Sequence, residues 1–500
     1  MLKVFKLVPL ICLACEVNPL PDDVGYEDLF KSAIDEIENA PLNLTGQALP
    51  DWLDGVFFAT GPANWDWIGP IHSPSALTGF GKVHKWEFHN GGIKFSSKFP
   101  AKFFGYNVNT WLMGEKLAIL TDMMQFAEVD KDSLKFVDDM KFTNATGLAV
   151  GGSAHPHCLD DGSYLGLREV VLGLKSHIGQ GRFAVYKLHP EKPGVVQDIA
   201  TLDVPDVSYA HSFGLTKDMS GGDYSVIVAQ PIYMNNPLAS FKGNTTVHFV
   251  PMDSGTSGRQ AKSIELDHFY FGHFANTFSP SAGKVVFDLE REATIYATRY
   301  NMAVELNKAK RDNWPKEHGY STFQRYEVDL EAGTVSQTKV FSDAKTQCAS
   351  QSGECEFNFY ALHPDDYGRP YCGLWAQQSF FNSSSFGSWA IVRIDLCGAD
   401  RPMVSASWYQ RNAYPGEPQF VPKPDTVDKT EGVLIFKTYE GDTGLSKLVV
   451  ADAKTLRTLT TAELPVRVPF TVHGKYYPRE ALATGKCVGS TRLKKNSVFV

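Results

Sequence analysis

Four histidines stand in settings that invite metal chemistry: His155 in SAHPH, His211 in SYAHSFG, His273 in GHFANT and His473 in PFTVHGKYY. Imidazole nitrogen suits borderline metals such as iron, zinc and copper, and the coordination positions left open decide what the metal can then do. Taken singly, each residue reads equally well as a hydrogen-bonded structural histidine. They are far apart in sequence, so spacing alone assembles nothing. A fold that gathers them must bring one short segment from each of several distant units to a common axis, as the innermost strands of a β-propeller do.

The elements that would position them are strands. Short apolar, aromatic or β-branched runs such as KLAILTDM, DYSVIVAQPIYM, KVVFDL, WAIVRIDL, GVLIFKTY and SKLVVADA recur from near residue 55 to the end. Between them lie turn signals: HNGG at His89–Gly92, DDG at Asp160–Gly162 and EGD at Glu440–Asp442. So many hairpins predict a closed all-β architecture, and at 500 residues a propeller suits the length best. Two segments read differently. Tyr26–Ile37 has the pattern of an amphipathic helix, and Ala293–Trp314 reads as helical or irregular, the pair being placed to cap one face. No linker, low-complexity stretch or regular repeat divides the chain, which predicts one domain over 16–500.

Composition narrows the function. Hydrophobic residues make up 43%, including 33 Phe, 20 Tyr and 9 Trp, enough to build a core and also line an apolar cavity. A net charge of -8 with no Lys/Arg-rich run leaves no footprint for nucleic acid. Residues 1–15 carry Lys3 and Lys6 ahead of a short apolar run, Leu7–Ala14, and read as a signal peptide, too short to span a membrane. Sequons at Asn43, Asn144, Asn244 and Asn382 agree with a secreted or luminal glycoprotein, a cytoplasmic location being the alternative. Beyond the leader six cysteines remain, an even number that suits an oxidising compartment. Their pairing is not fixed by sequence; Cys348 with Cys355, across ASQSGE, is the simplest pair, and buried free thiols are the alternative.

The segments around the four histidines resemble, in order, the ligand-bearing segments of the carotenoid cleavage oxygenase family, which includes animal β-carotene oxygenases and the retinoid isomerohydrolase of the visual cycle. AHPH, AHSFG, HxxNT and PFxxHG carry the resemblance, and PDWLDGVFFATGP resembles the family's opening P-x-W-L-x-G motif. It implies a seven-bladed β-propeller with the metal on the central axis and a cap of loops and short helices on one face. It implies one Fe(II) per chain held by His155, His211, His273 and His473, with His157 in a packing role. It also implies carboxylates behind three of the ligands: Glu356 in CEFNFY, resembling FEFP; Glu417 in GEPQFVPKP, resembling SEPxFVPxP; and Asp122, where the family has Glu and the shorter acid reaches only with a backbone shift or a bridging water.

The implied reaction is cleavage of a C=C bond in a carotenoid or apocarotenoid by O2, with aldehyde or ketone products. A retinoid isomerase or hydrolase, or a secreted carotenoid-binding protein without cleavage, are the alternatives. Phe213, Phe274, Phe359, Tyr360 and Phe470 are candidates to line an apolar tunnel, core packing being the commoner fate. The chain departs from the family in lacking a Pro-Asp-Pro-Cys segment near Phe99–Asn107, in Gly272 where Phe is frequent and in Ser279 where Glu is frequent. The missing segment implies weak or absent membrane association.

Overall fold

The computed structural model describes residues 23–68, 71–100, 106–172, 180–217, 223–234, 240–253, 258–341, 355–381, 385–399 and 401–487. The expected signal peptide at 1–15 and the sequon at Asn382 lie outside them. Seven antiparallel sheets of four to six strands follow one another along the chain, with one small extra ribbon, Asp66–Ile68 with Ile71–His72. The seven sheets are the blades of a β-propeller.

Blade 1 mixes both ends of the chain: from the axis outward it runs Gly474–Pro478, Gly55–Asn64, Phe80–His89, Gly92–Lys98 and Ile37–Pro41. Its innermost strand therefore comes from the C-terminal region, which closes the ring. Blades 2 to 6 have inner strands Asn109–Met113, Leu148–Gly152 (extended by His157–Cys158), Gly214–Leu215, Phe274–Ser281 and Glu356–Ala361. Blade 7 begins with Ala413–Pro415 and Gln419–Pro422, and its outermost strand is Leu44–Gly46.

Every blade is sandwiched between two others, so its middle strands are buried on both faces and read as unbroken apolar runs. In Tyr224–Ala229, Val226 and Val228 face blade 5, while Ile227 and Ala229 face blade 3. The core is divided accordingly into seven clusters, one at each seam between blades. The cluster between blades 5 and 6 extends beyond its seam to the N-terminal segment and the cap.

The HNGG turn forms its hairpin, with Asn90 at φ 50° and Gly91 at φ 72°. Tyr26–Ile37 is not one helix. A 3-10 helix covers Tyr26–Phe30 only, and Ile37 already opens a strand. Tyr26, Leu29 and Phe30 are buried, Tyr26 against Phe386, Trp389 and Tyr414 and Phe30 against Trp65 and Phe470, so tertiary packing takes the apolar residues of the segment into separate elements. Ala293–Trp314 does contain helices, Tyr296–Arg299, Met302–Glu305 and the start of Lys308–His318, and these cover the N-terminal segment. No helix among the described residues is long and apolar enough to cross a membrane.

Disulfides join Cys158 to Cys487 and Cys372 to Cys397. Cys355 is also disulfide-bonded, while Cys348, its expected partner, lies outside the described residues.

Candidate metal centre

Each of the four histidines lies at the axial end of a blade. His155 sits between Leu148–Gly152 and His157–Cys158, His211 precedes Gly214–Leu215, His273 immediately precedes Phe274–Ser281, and His473 immediately precedes Gly474–Pro478. Neighbouring serines fasten these segments to one another. Ser153 Oγ accepts the His155 N–H and donates to the His211 carbonyl at 2.8 Å; Ser212 Oγ donates to the Gly272 carbonyl at 2.7 Å. Gly474 has a steric reason beside His473, since a Cβ there would meet the Phe58 carbonyl oxygen at 2.5 Å.

The result is a compact group of four nitrogen donors, all within 4.8 Å of one another. His155 Nε2 lies 3.0 Å from His211 Nε2, which lies 3.1 Å from His273 Nε2, which lies 3.1 Å from His473 Nε2. Three of the rings have their Nδ1 engaged from behind. His211 Nδ1 donates to Asp122 Oδ1 at 2.8 Å, His273 Nδ1 to Asn358 Oδ1 at 2.7 Å, and His473 Nδ1 to Glu417 Oε1 at 3.0 Å. With the proton on Nδ1, each Nε2 presents a lone pair to the others.

Lone pairs facing one another at 3 Å repel, and a shared cation turns that repulsion into four bonds. Ligands at right angles around an ion with metal–nitrogen bonds of ~2.1 Å lie ~3.0 Å apart, against ~3.4 Å at the tetrahedral angle. The three adjacent separations, 3.0–3.1 Å, are of the size that ligands of one ion take. Burial, followed by the proximity of the other rings, holds His155 and His273 well below the usual histidine range and takes His473 down to about 3. These three are therefore neutral near pH 7, the form that binds a metal.

The three outer acceptors come from the three blades that supply no histidine: Asp122 from blade 2, Asn358 from blade 6, Glu417 from blade 7. Glu417 also accepts the Gly474 N–H at 2.9 Å, so one carboxylate fixes both the ring and the backbone beside it. Burial pushes its carboxyl up to about 8, opposed by that N–H and by Lys475. Burial acts in the same direction on Asp122, but the His211 ring and the hydrogen bonds from His211 and Tyr209 outweigh it and leave the carboxyl below its usual value.

Glu356 does not stand behind a histidine. Its oxygens take Arg299 Nη1 at 2.5 Å and the Ser321 N–H at 3.0 Å, and the residue that meets His273 is Asn358, two positions later on the same strand. The place behind His273, which the resemblance assigned to an acid, is taken by the amide of Asn358. His157 points away from the cluster, its Nε2 bonded to the Phe213 carbonyl at 2.8 Å, and burial takes it down to about 4.

Of the five aromatics, Phe359 and Phe470 flank the centre. Phe359 lies 5.7 Å from the His273 ring and 5.4 Å from His473, and Phe470 lies 6.4 Å from Phe359. From Phe470 the line continues to Tyr300 and Phe30, and from Phe30 to Trp65. Phe213 packs on His157, while Phe274 and Tyr360 pack into seams between blades. Sequence reasoning missed Tyr209, Asn358, Ser153 and Ser212. The serines had a signal, a small hydroxyl residue within two positions of a motif histidine; Tyr209 and Asn358 had none beyond nearness to a motif.

A sequence model of the family described as "Retinal pigment epithelial membrane protein" matches residues 105–478. The chain is similar to a carotenoid isomerooxygenase of Galleria mellonella, 22% identical over 87% of this chain and 93% of the relative. It is also similar to a β,β-carotene 15,15'-dioxygenase of Gallus gallus, 22% identical over 87% and 95%. Among solved structures, a variant of Synechocystis apocarotenoid oxygenase superposes with a TM-score of 0.71 over 91% of this chain and 98% of that one, at 18% identity, a likeness of fold.

Proposed function

This chain belongs to the carotenoid cleavage oxygenase family, and we propose that it is a dioxygenase that cleaves one C=C bond of a carotenoid or apocarotenoid, using one Fe(II) bound by His155, His211, His273 and His473. The observation that carries this reading is the set of Nε2 atoms at 3.0–3.1 Å, each of three rings held in the metal-binding tautomer from behind. A bound ferrous ion supplies the activation of O2 that no side chain can perform.

The residues do the rest. Asp122, Asn358 and Glu417 lock the rings so that the donor set is formed before anything binds. Phe359 and Phe470, continued by Phe30, Tyr300 and Trp65, offer a conjugated chain an apolar wall and aromatic faces against which it can lie. The overall reaction balances without a reductant or a proton: both atoms of O2 end in the two carbonyl groups formed from the broken double bond.

The exposed sequon residues Asn43, Asn144 and Asn244 and the disulfide-bonded cysteines support residence in a secretory or extracellular compartment.

The test is metal content of the purified protein, followed by anaerobic Fe(II) loading, addition of a carotenoid and admission of O2. One iron per chain with bleaching of the polyene bands into aldehydes is the expected result. A protein that binds the pigment, takes no iron and leaves the absorbance unchanged in air is a carrier, and the dioxygenase reading falls.

A further inference from the structure

Asn358 differs in kind from its two counterparts. Asp122 and Glu417 each present a carboxylate to a ring N–H, whereas Asn358 presents a neutral amide oxygen. Its orientation is fixed independently, because the same Oδ1 accepts the Phe359 N–H at 2.8 Å; the opposite orientation would set the amide N–H against the Phe359 N–H. The strand is irregular here. Its register with the next strand shifts between Asn358 and Ala361, and Phe359 has φ 53°, a bulge that aims Asn358 and Phe359 together at the histidines.

Next to Asn358 lies a small polar chamber walled also by Glu290, Arg299, Glu356, Gln377 and Ser379. Glu290 and Glu356 are 3% and 5% exposed, and Arg299, ion-paired to Glu356, is the one cationic side chain in that wall. One Glu290 oxygen has no hydrogen-bond partner among the described residues. A carboxylate at position 358 would be a third acid beside a single guanidinium already paired with Glu356, in a chamber where burial and the neighbouring acids Glu292 and Glu356 hold Glu290 well above the usual carboxyl range, so a further negative charge there would be costly.

We propose that Asn358 is a positioning residue that holds His273 in its metal-facing tautomer while withholding charge. The acids behind the ligand rings are then Asp122 and Glu417 alone, with no third behind His273. This rests on the metal-binding reading of the four histidines. A carboxylate behind His273 would make that ring a stronger donor and hold the ion more tightly; the amide leaves the ion more weakly held and more electrophilic.

The experiment is anaerobic titration with Co(II), whose visible bands report its ligand field, on wild type, Asn358→Leu and Asn358→Asp. Asn358→Leu, which removes the acceptor, weakens binding by ~10–100-fold and shifts the bands. Asn358→Asp tightens binding by ~10-fold. If Asn358→Asp does not fold, the Glu290→Gln/Asn358→Asp double variant, which removes one acid of the chamber and keeps the Glu356–Arg299 pair, serves in its place. Asn358→Leu with wild-type affinity and bands overturns the positioning role. A folded Asp variant that binds no more tightly than wild type overturns the role of withheld charge. Wild type that takes up no Co(II) overturns the four-histidine site, and this assignment with it.

Discussion

Asp122 Oδ1 lies 2.8 Å from His211 Nδ1, a direct hydrogen bond made by an acid one carbon shorter than glutamate. The backbone closes the gap. Thr121 Oγ1 donates to the carbonyls of Met123 and Gln125 and accepts the Met123 N–H, curling the loop, and the Asp122 carbonyl accepts the Gly152 N–H from blade 3. Tyr209 completes the arrangement by donating to the other Asp122 oxygen at 2.8 Å. Asp122→Ala should weaken Fe(II) binding by ~10–100-fold. Tyr209→Phe, which deletes one hydrogen bond of ~1 kcal/mol, should cost no more than ~5-fold. Anaerobic Fe(II) titration reads both, and an alanine variant with wild-type affinity would remove Asp122 from the site.

The histidines themselves set a larger effect. His473→Ala removes one of four donors and also strands Glu417, whose Oε1 loses the ring N–H while Oε2 keeps the Gly474 N–H. Stoichiometric iron should be lost in this variant and in His273→Ala. Full iron content in either, measured by metal analysis after gel filtration, is incompatible with a four-donor site.

Glu356 makes the opposite prediction. It is bonded to Arg299 and the Ser321 N–H rather than to a ligand ring, so its removal breaks a buried ion pair and takes from the guanidinium its hydrogen-bonded partner, leaving Glu290 and Glu305 as nearby acids. Glu356→Ala should cost ~3–5 kcal/mol of stability and lower the denaturation midpoint. Iron should still bind at one per chain. A variant with wild-type stability but no iron would return Glu356 to the metal site.

The contrast between Asn358 and Glu356 shows where sequence reading stops. In a strand, residues two apart share a face, so CEFNFY offers two positions with the same outlook, and the acid is the more conspicuous of the two. The choice is made by a bulge and a left-handed Phe359, neither of which has a sequence signature. His155, His211, His273 and His473 were legible because each sits in a distinctive run of neighbours; Tyr209, two residues before His211, was not, because nothing in the run says which hydroxyl meets Asp122. At the level of fold, turn residues and two-sided apolar runs announced the blades. The Tyr26–Ile37 segment misled because its helical periodicity is satisfied instead by one 3-10 turn and a strand.

Cys158 and Cys487 are separated by 329 residues, and their bond pins the segment just beyond the ring-closing strand Gly474–Pro478 to blade 3, three residues from His155. Replacing both with Ser should cost ~2–5 kcal/mol, because a very long loop is freed in the unfolded chain. Strand pairing within blade 1 still closes the ring, so the fold should persist. Reductant should lower the denaturation midpoint of the wild type by more than that of the double variant; equal sensitivity would assign the stabilisation to the other disulfides.

Glu305 gives a pH dependence of definite sign. It is fully buried in the cap, one oxygen accepts the Tyr26 hydroxyl at 2.7 Å, and the other has no hydrogen-bond partner among the described residues. Burial raises its carboxyl from 4.5 to about 7, against the hydrogen bond from Tyr26 and the charges of Arg299 and Arg311. The folded protein thus retains a proton that the unfolded chain releases. The stability this group contributes is complete below pH 4.5 and is lost as the pH rises through about 7. Glu305→Gln, which keeps an acceptor for Tyr26 and cannot ionise, should gain on the wild type across that interval and hold a constant advantage above it. Denaturation midpoints at several pH values, read as the difference between variant and wild type so that other titrating groups cancel, test this directly. A difference that does not change with pH would show that Glu305 ionises alike in the folded and unfolded chain, despite its burial between the N-terminal segment and the cap.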